Sequence, residues 1–377
     1  MIDEKTPDQS VEQETPVEAV APVQKEAPAP TQEPAPAPVS SSNTESAPLR
    51  TVKANFLDKI KFDKWKGWIY LLPAIILLAI FTVWPIINTV GRAFMEEFDA
   101  LEAVTGVKYE FGFGNFVSVF TTEFETGGNF RSALLNTLLI CVITVPLSTI
   151  LALLIAVCLN AIKPLQKLLQ TIFFLPYVTN SIAIGMVFSA VFVTTTSNFN
   201  DPNLVSSWGF VNNIIMAFGG KPIDWIYGPG SEIFMSSYWP KLFVLCVYII
   251  WNALPFKILI LLGGLQSVNK QYYEAAQIDS TPRWRVFTKI TVPLLSPMLA
   301  YVVITGFIGG FKEYSSIIGI FGDSMADGQL FTMVGYIYKV LPNSKYGEAS
   351  AAALILFGII FVVTMINLYV SKKKTHY

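Results

Sequence analysis

Six long apolar runs, near 67–90, 132–159, 171–193, 241–265, 294–318 and 349–370, alternate with polar stretches along the chain. Each supplies the ~20 residues that a helix needs to cross the hydrocarbon core of a bilayer. Backbone amides in lipid find no water, and helices satisfy theirs span by span. The pattern therefore predicts an all-α integral membrane protein with six transmembrane helices. In the fifth run Lys312 and Glu313 interrupt the apolar pattern and leave SSIIGIF as a re-entrant or surface piece.

Between the fourth and fifth runs lies a polar island, QSVNKQYYEAAQIDSTPRWRVFTKITVP, at residues 266–293. Asn269 is placed to cap a helix over Lys270–Asp279 by accepting from its free opening amides. The residue before a proline is pushed out of the helical region, while proline suits the first helical position. Thr281 is thus expected to cap, and Pro282 to start, a second helix over Arg283–Ile290. Pro293 then closes that helix or kinks it into the next run. Small Ala275 and Ala276 beside Tyr272 and Asp279 would let another backbone approach closely. Arg283, Arg285 and Lys289 beside Trp284 and Phe287 suit a membrane interface. From the residues alone two readings stand: an ordinary loop held on one side by its charge, or a docking element.

Lysine and arginine gather at one set of run ends: residues 53–66, Lys163 and Lys167, the island, and Lys372–Lys374. Acidic residues, including Glu96, Glu97, Asp99, Asp201, Asp224, Asp323 and Glu348, gather at the other. The positive-inside rule then puts both termini in the cytoplasm. Residues 1–52, rich in Pro, Ala and Glu, lack the means to form a core and are expected to be a disordered tail. They also lack the basic start and apolar stretch of a signal peptide. Residues 53–66 form a basic juxtamembrane collar, and 67–377 the transmembrane domain. In the outer loop, Trp208 to Phe218 has helical apolar spacing, Gly219-Gly220 can end that helix, and Trp225, Tyr227 and Trp239 are aromatics of the interface kind.

Composition narrows the chemistry. Of 377 residues, 53% are hydrophobic and only 14% charged, against about a quarter charged in soluble domains. The single histidine is His376, and the three cysteines lie in apolar runs, so no His- or Cys-based catalytic or metal set is expected. No G-x-x-x-x-G-K-S/T loop is present, which assigns any ATP and Mg²⁺ to another subunit and leaves no cofactor to this chain. An enzyme is not expected. Polar residues inside the runs are candidates for a solute path or for helix packing. Asn136 and Thr137 read as interhelical hydrogen-bonders, and Lys257 either snorkels to the near interface or marks a path. Trp251 and Asn252 before Pro255, and Gly306, Gly309, Gly310, Glu313 and Tyr314, combine aromatics, an amide and close-approach glycines suited to a polyhydroxylated ligand.

Glu274-Ala275-Ala276, then Asp279, Phe287, Ile290 and Pro293, resemble the EAA loop of ATP-binding-cassette importer permeases, E-A-A-x-x-D-G-A followed by F, I and L-P. Ser280 and Thr281 stand where Gly-Ala is usual, and Val292 where Leu is common. The blocks GFGNFVSVF, FRSALLNTLL, IFFLPYVTNSIAIGMVF, IIWNALPFKILILLGGLQSV and YGEASAAALILF are similar to those of sugar-type permeases, from about residue 66 onward. The resemblance implies a type I importer membrane subunit carrying an oligosaccharide. Its implied partners are a second homologous permease, two nucleotide-binding ATPase subunits, an extracellular solute-binding protein and the bilayer, with no nucleic acid. It assigns coupling to Tyr273, Glu274, Ala275, Ala276, Asp279, Ser280, Pro282, Phe287 and Pro293. Substrate contacts are implied on the spans flanking the loop, where Trp251, Asn252, Gly306, Gly309, Gly310, Glu313 and Tyr314 lie.

Overall fold

The computed structural model describes residues 62–96, 98, 109–124, 128–162, 166–196, 205–226, 238–326 and 328–374. The expectations for residues 1–52, for 53–61 of the collar and for Tyr227 lie outside them. Gly67–Tyr377 forms one compact unit. Four helices are long and apolar enough to cross a membrane, Tyr70–Ala93, Phe130–Ala161, Tyr238–Ser267 and Tyr346–Lys373, and two bent pairs bring the number to six. Counted so, the third run is a bent span, and the fifth span joins Arg283–Leu294 of the island to Ser296–Phe311.

The first span joins α1 (Phe62–Leu78) to α2 (Trp84–Ala93) through a π-helical turn at Ala79–Val83, and α2 lies against the last helix. Its apolar faces upstream are open, with Leu71 and Phe81 at 55% and 73% exposure. A second π turn occupies Phe287–Thr291. Both precede a proline, Pro85 and Pro293, by two residues. A proline ring in a regular helix meets the carbonyl four residues back, here Phe81 or Lys289, and the wider turn makes room for it. Pro293 accordingly neither ends nor bends its helix. The chain turns by 68° after Leu294, at Leu295.

After α3 (Gly114–Thr121), α4 (Phe130–Ala161) starts on a capping box between Asn129 and Ser132. It forms the most extensive helix pair of the fold with α8 (Tyr238–Ser267). The third span is α5 (Gln166–Val178) and α6 (Ser181–Phe192), bent by 97°. Asn180 makes the corner by accepting from the amides of Ile182 (2.9 Å) and Ala183 (3.4 Å). Beyond it, strands β1 (Thr194–Thr196) and β2 (Val205–Trp208) pair antiparallel, which the sequence did not foretell. Trp208 is thus strand, and the next helix, α7, is Phe210–Ala217, closed by Gly219 at φ +78°. Asn212 fastens this region, accepting from Trp225 Nε1 and the Ile223 amide, each at 3.1 Å. Trp225 is therefore core, whereas Trp239 is exposed.

The island forms α9 (Gln271–Ile278) and α10 (Arg283–Val286), the π turn and α11 (Val292–Leu294). The fifth span continues as α12 (Ser296–Phe311), breaks at Lys312–Tyr314, and resumes as α13 (Ser315–Phe321). So SSIIGIF is a buried helix that packs on α6, not a surface piece. At their crossing a Cβ added to Gly185 would lie 2.7 Å from Gly319 Cα, so backbone meets backbone. α14 (Met333–Val340) and α15 (Tyr346–Lys374) complete the fold.

Asn136 and Thr137 do hold elements together. Asn136 donates to the carbonyls of Gln329 and Phe331, both at 2.9 Å, and accepts from the Tyr238 hydroxyl at 2.8 Å. Thr137 Oγ1 accepts from the Met333 amide at 3.0 Å. Glu348 belongs not to a loop but to the first turn of α15, where it is 4% exposed. It accepts from the Tyr336 hydroxyl at 2.7 Å and pairs with Lys345 at 3.4 Å. Burial first, and then this carboxylate, push the Tyr336 phenol well above its ordinary value and keep the hydroxyl a donor.

Candidate functional site

Two neighbouring features make the site: the α9–α11 segment and a cavity between the spans that it joins. Asn269 Oδ1 accepts from the Gln271 amide at 3.0 Å, so the expected capping bond is present, with the helix starting one residue later than the sequence indicated. At the other end Thr281 N donates to Ala276 O at 2.9 Å and Ser280 N to Gln277 O at 3.0 Å, the paired bonds of a Schellman motif. Ser280 supplies its left-handed residue, at φ +51°. That is the place where the EAA pattern has glycine, and the serine takes the same turn. Pro282, at ψ 143°, is itself the cap of α10, so Thr281 is not. The Schellman bonds already hold Thr281 to α9, which moves the start of the second helix one residue on.

On α9 the exposed residues are Gln271, Tyr272, Glu274, Ala275, Gln277 and Ile278, while Ala276 is 6% exposed and faces inward. Asp279, Ser280 and Pro282 are exposed at the corner. The Tyr273 hydroxyl lies 3.3 Å from Thr291 Oγ1 and braces α9 to the π turn. Phe287 and Val292 pack into a core built from Ala152, Ala156, Leu261, Leu265 and Leu295. Those contacts fasten the segment to α4, α8 and α12. Trp284, 72% exposed, lies 5.6 Å from Phe287 in ring-centroid distance.

The cavity holds about 260 Å³ and opens between α4, α8 and α12. Asn252, Gly306, Gly309, Gly310 and Glu313 line it, as the sequence led one to expect. Trp251 and Tyr314 do not. Trp251 turns into the core against Phe188 (5.4 Å) and Tyr248 (6.4 Å), and Tyr314 stacks on Tyr338 at 4.6 Å. A Cβ at Gly309 would meet nothing within 4 Å, whereas one at Gly310 would lie 2.8 Å from Cys141 Sγ. Gly309 thus opens the cavity and Gly310 permits close helix packing. The Asn252 amide makes no hydrogen bond among the described residues. Glu313 accepts from the Ser316 amide at 3.1 Å, and Thr332 Oγ1 donates to its main-chain carbonyl at 2.9 Å.

Lys257 does not snorkel. It is 4% exposed, and its ammonium donates to Ser148 Oγ (2.6 Å), Thr149 Oγ1 (3.0 Å) and Val145 O (3.2 Å) on α4. An ammonium has three donors, and all are used.

Residues 127–376 match the family described as the binding-protein-dependent transport system inner membrane component. The chain belongs to that family. It is an inner-membrane permease subunit, not an enzyme, and in this family ATP hydrolysis falls to separate subunits. The permease is 27% identical to the lactose transport system permease protein LacF of Rhizobium radiobacter over 322 residues, 82% of this chain and 94% of that protein. It is 25% identical to the arabinooligosaccharides transport system permease protein AraP of Bacillus subtilis (strain 168) over 342 residues, 89% and 97% of the two chains. A solved bacterial ABC transporter that imports the acidic polysaccharide alginate contains a chain with the same fold. That likeness has a TM-score of 0.65 at 23% identity, covering 83% of this chain and 97% of the other.

Sequence reasoning missed several cavity residues of the permease: Thr144, Ser148, Tyr177, Phe256 and Thr305. Tyr177 and Phe256 stack at 5.8 Å, an aromatic pair drawn from two spans. The spacing of Thr144, Ser148 and Thr149 on one face of α4 was the available signal.

Proposed function

We propose that the permease is one of two pore-forming subunits of a type I ATP-binding-cassette importer, carrying an oligosaccharide such as a maltodextrin from an extracellular binding protein into the cytoplasm. In this reading both termini and the α9–α11 segment face the cytoplasm, following the lysine and arginine bias of those ends. Two ATPase subunits hold ATP and Mg²⁺, and grooves on their surfaces receive α9 through Glu274, Ala275 and the Asp279–Pro282 corner. Motion there passes through the Tyr273–Thr291 brace and Phe287 into the spans. Swinging a gate from 1:99 to 99:1 takes ~5.5 kcal/mol of differential binding, which two such loops, one on each permease, would share.

The observation that carries this reading is that α8 and α12, the helices joined by the segment, are also walls of the cavity. A displacement at α9 reaches both walls. The cavity's 260 Å³ is below the ~300–1,000 Å³ of complete ligand pockets, which fits half a site finished by a second homologous permease. Stacked Tyr177 and Phe256, the unpaired Asn252 amide and several hydroxyls suit a sugar's faces and edges. A phosphate would meet on this wall the Glu313 carboxyl and a single lysine, Lys257, whose three donors are already taken by neutral oxygens, rather than an arginine cluster. The relatives' named cargoes, lactose and arabinooligosaccharides, point the same way.

The test is uptake of labelled oligosaccharides by proteoliposomes containing this chain, its co-expressed second permease and ATPase, and the binding protein. ATP-dependent sugar uptake is expected. Uptake of glycerol phosphate or a polyamine instead would replace the cargo, and uptake driven by an ion gradient without ATP would overturn the importer reading.

A further inference from the structure

A second, larger cavity of about 560 Å³ lies away from the central one, between the start of α12 and the end of α15. Its deep wall is apolar, with Leu299, Ala300, Val303 and Ile304 on α12 and Val370 on α15. Its polar lining comes from Ser296, Asn367, Ser371 and Lys373. Ile304 lies eight residues beyond Ser296 on α12, hence about 12 Å deeper at 1.5 Å per residue. Along α12 the lining runs from Ser296 to pure hydrocarbon, and Val292 and Pro293, before Ser296, are apolar too.

Two observations point to a ligand. Ser296 Oγ is buried and is the sole such side-chain oxygen without a hydrogen-bond partner among the described residues. Native proteins rarely leave such a group unmatched. Lys373, part of the lining, is exposed, and its ammonium is held 4.6 Å above the Tyr369 ring. Among the described residues no acidic side chain lines the cavity.

We propose that this groove binds one anionic phospholipid. Its phosphate sits by Lys373, its glycerol oxygens face Ser296 and Asn367, and one acyl chain lies along Leu299–Ile304. The lining offers hydrocarbon for a tail and polar side chains for the ester and headgroup, and the charge of Lys373 complements the phosphate. Placing the lipid in the cytoplasmic leaflet rests on the orientation given under the proposed function; binding itself does not.

Native mass spectrometry of the full chain in mild detergent, titrated with dioleoyl phosphatidylglycerol or dioleoyl phosphatidylcholine, tests this. One phosphatidylglycerol should be retained at about fivefold lower concentration than phosphatidylcholine, the worth of one lysine at a membrane surface. Lys373→Gln should remove that preference while leaving phosphatidylcholine retention unchanged, and Ala300→Phe, which fills the groove, should weaken both. Equal retention of the two lipids, or a preference that neither variant alters, overturns the proposal. In native membranes a photoreactive p-benzoylphenylalanine at position 303 should give a lipid adduct; an adduct with a polypeptide would assign the groove to a protein instead. Equal retention of the two lipids by the parent chain, with sugar uptake intact, would sink this inference alone and leave the transport reading standing.

Discussion

Lys257 crosses from α8 to α4 and donates to Ser148 Oγ at 2.6 Å. The two residues are not equally needed. Ser148 also donates to Thr144 O, and Thr149 to Val145 O, so both hydroxyls keep a partner if the lysine is removed. Ser148→Ala, in contrast, leaves a buried ammonium short of an acceptor. Thermal unfolding in detergent should put the loss for Ser148→Ala at about 1–3 kcal/mol, and that for Lys257→Met below it. The reverse order would mean that the ammonium finds another acceptor.

Ser280 holds the left-handed corner after α9, a conformation that costs a non-glycine residue about 1–2 kcal/mol. Ser280→Gly should therefore stabilise the segment by up to about 1 kcal/mol and leave ATPase coupling intact. A β-branched Ser280→Val should destabilise it. Hydrogen exchange at the Ala276–Thr281 turn reads both effects.

Docking of α9 is best probed at an exposed position. Ala275→Glu should reduce co-purification of the ATPase subunit at least tenfold, corresponding to about 1.4 kcal/mol, without loss of membrane insertion. Ala276→Glu, at a 6% exposed position, should instead disturb the segment's own packing. Full ATPase recovery with Ala275→Glu would place the contact elsewhere.

Gly309 borders the cavity, and a Cβ there would meet nothing within 4 Å, so a side chain added there grows into the cavity. Gly309→Trp should abolish sugar uptake while the assembled transporter and its basal ATPase survive. Gly310→Trp, packed on Cys141, should lower the yield of folded protein as well. Size-exclusion profiles run beside the uptake assay separate the two.

The Tyr336–Glu348 bond makes a pH prediction. The phenol's value is raised in the fold, so its contribution is complete below pH 10, the ordinary tyrosine range, and is lost as pH climbs toward the raised value. Melting temperature should fall above about pH 10 more steeply for the parent protein than for Tyr336→Phe. Equal slopes would place the titrating group elsewhere.

Run length made the six spans legible, because hydrophobic thickness constrains length directly. The breaks were harder to see. Hydropathy passes smoothly over Val178–Ser181, yet Asn180 there is an ordinary helix cap, a signal present in the sequence but outweighed by its apolar neighbours. In the site, Asn252 and the glycines of α12 were legible as polar or small interruptions of apolar runs. Trp251 was not, because a helix apolar on every face carries no periodic mark of which side turns inward. Tyr177 and Phe256 escaped for a similar reason: their stack is made by packing α5 on α8, two elements distant in the chain. The snorkelling reading of Lys257 failed because its acceptors, on a helix over 100 residues earlier, are ordinary serine and threonine.

Cores soften when side chains hop between rotamers, and the crossing of Gly185 and Gly319 has no side chain to hop. α6 and α13, the later halves of the third and fifth runs, are thereby welded into a single body. Besides the turn at Leu295, those two spans are interrupted at the Asn180 corner and at the Lys312–Tyr314 break, the second of which borders the cavity through Glu313. A gate that opens by bending there would move the welded body as one door on two hinges.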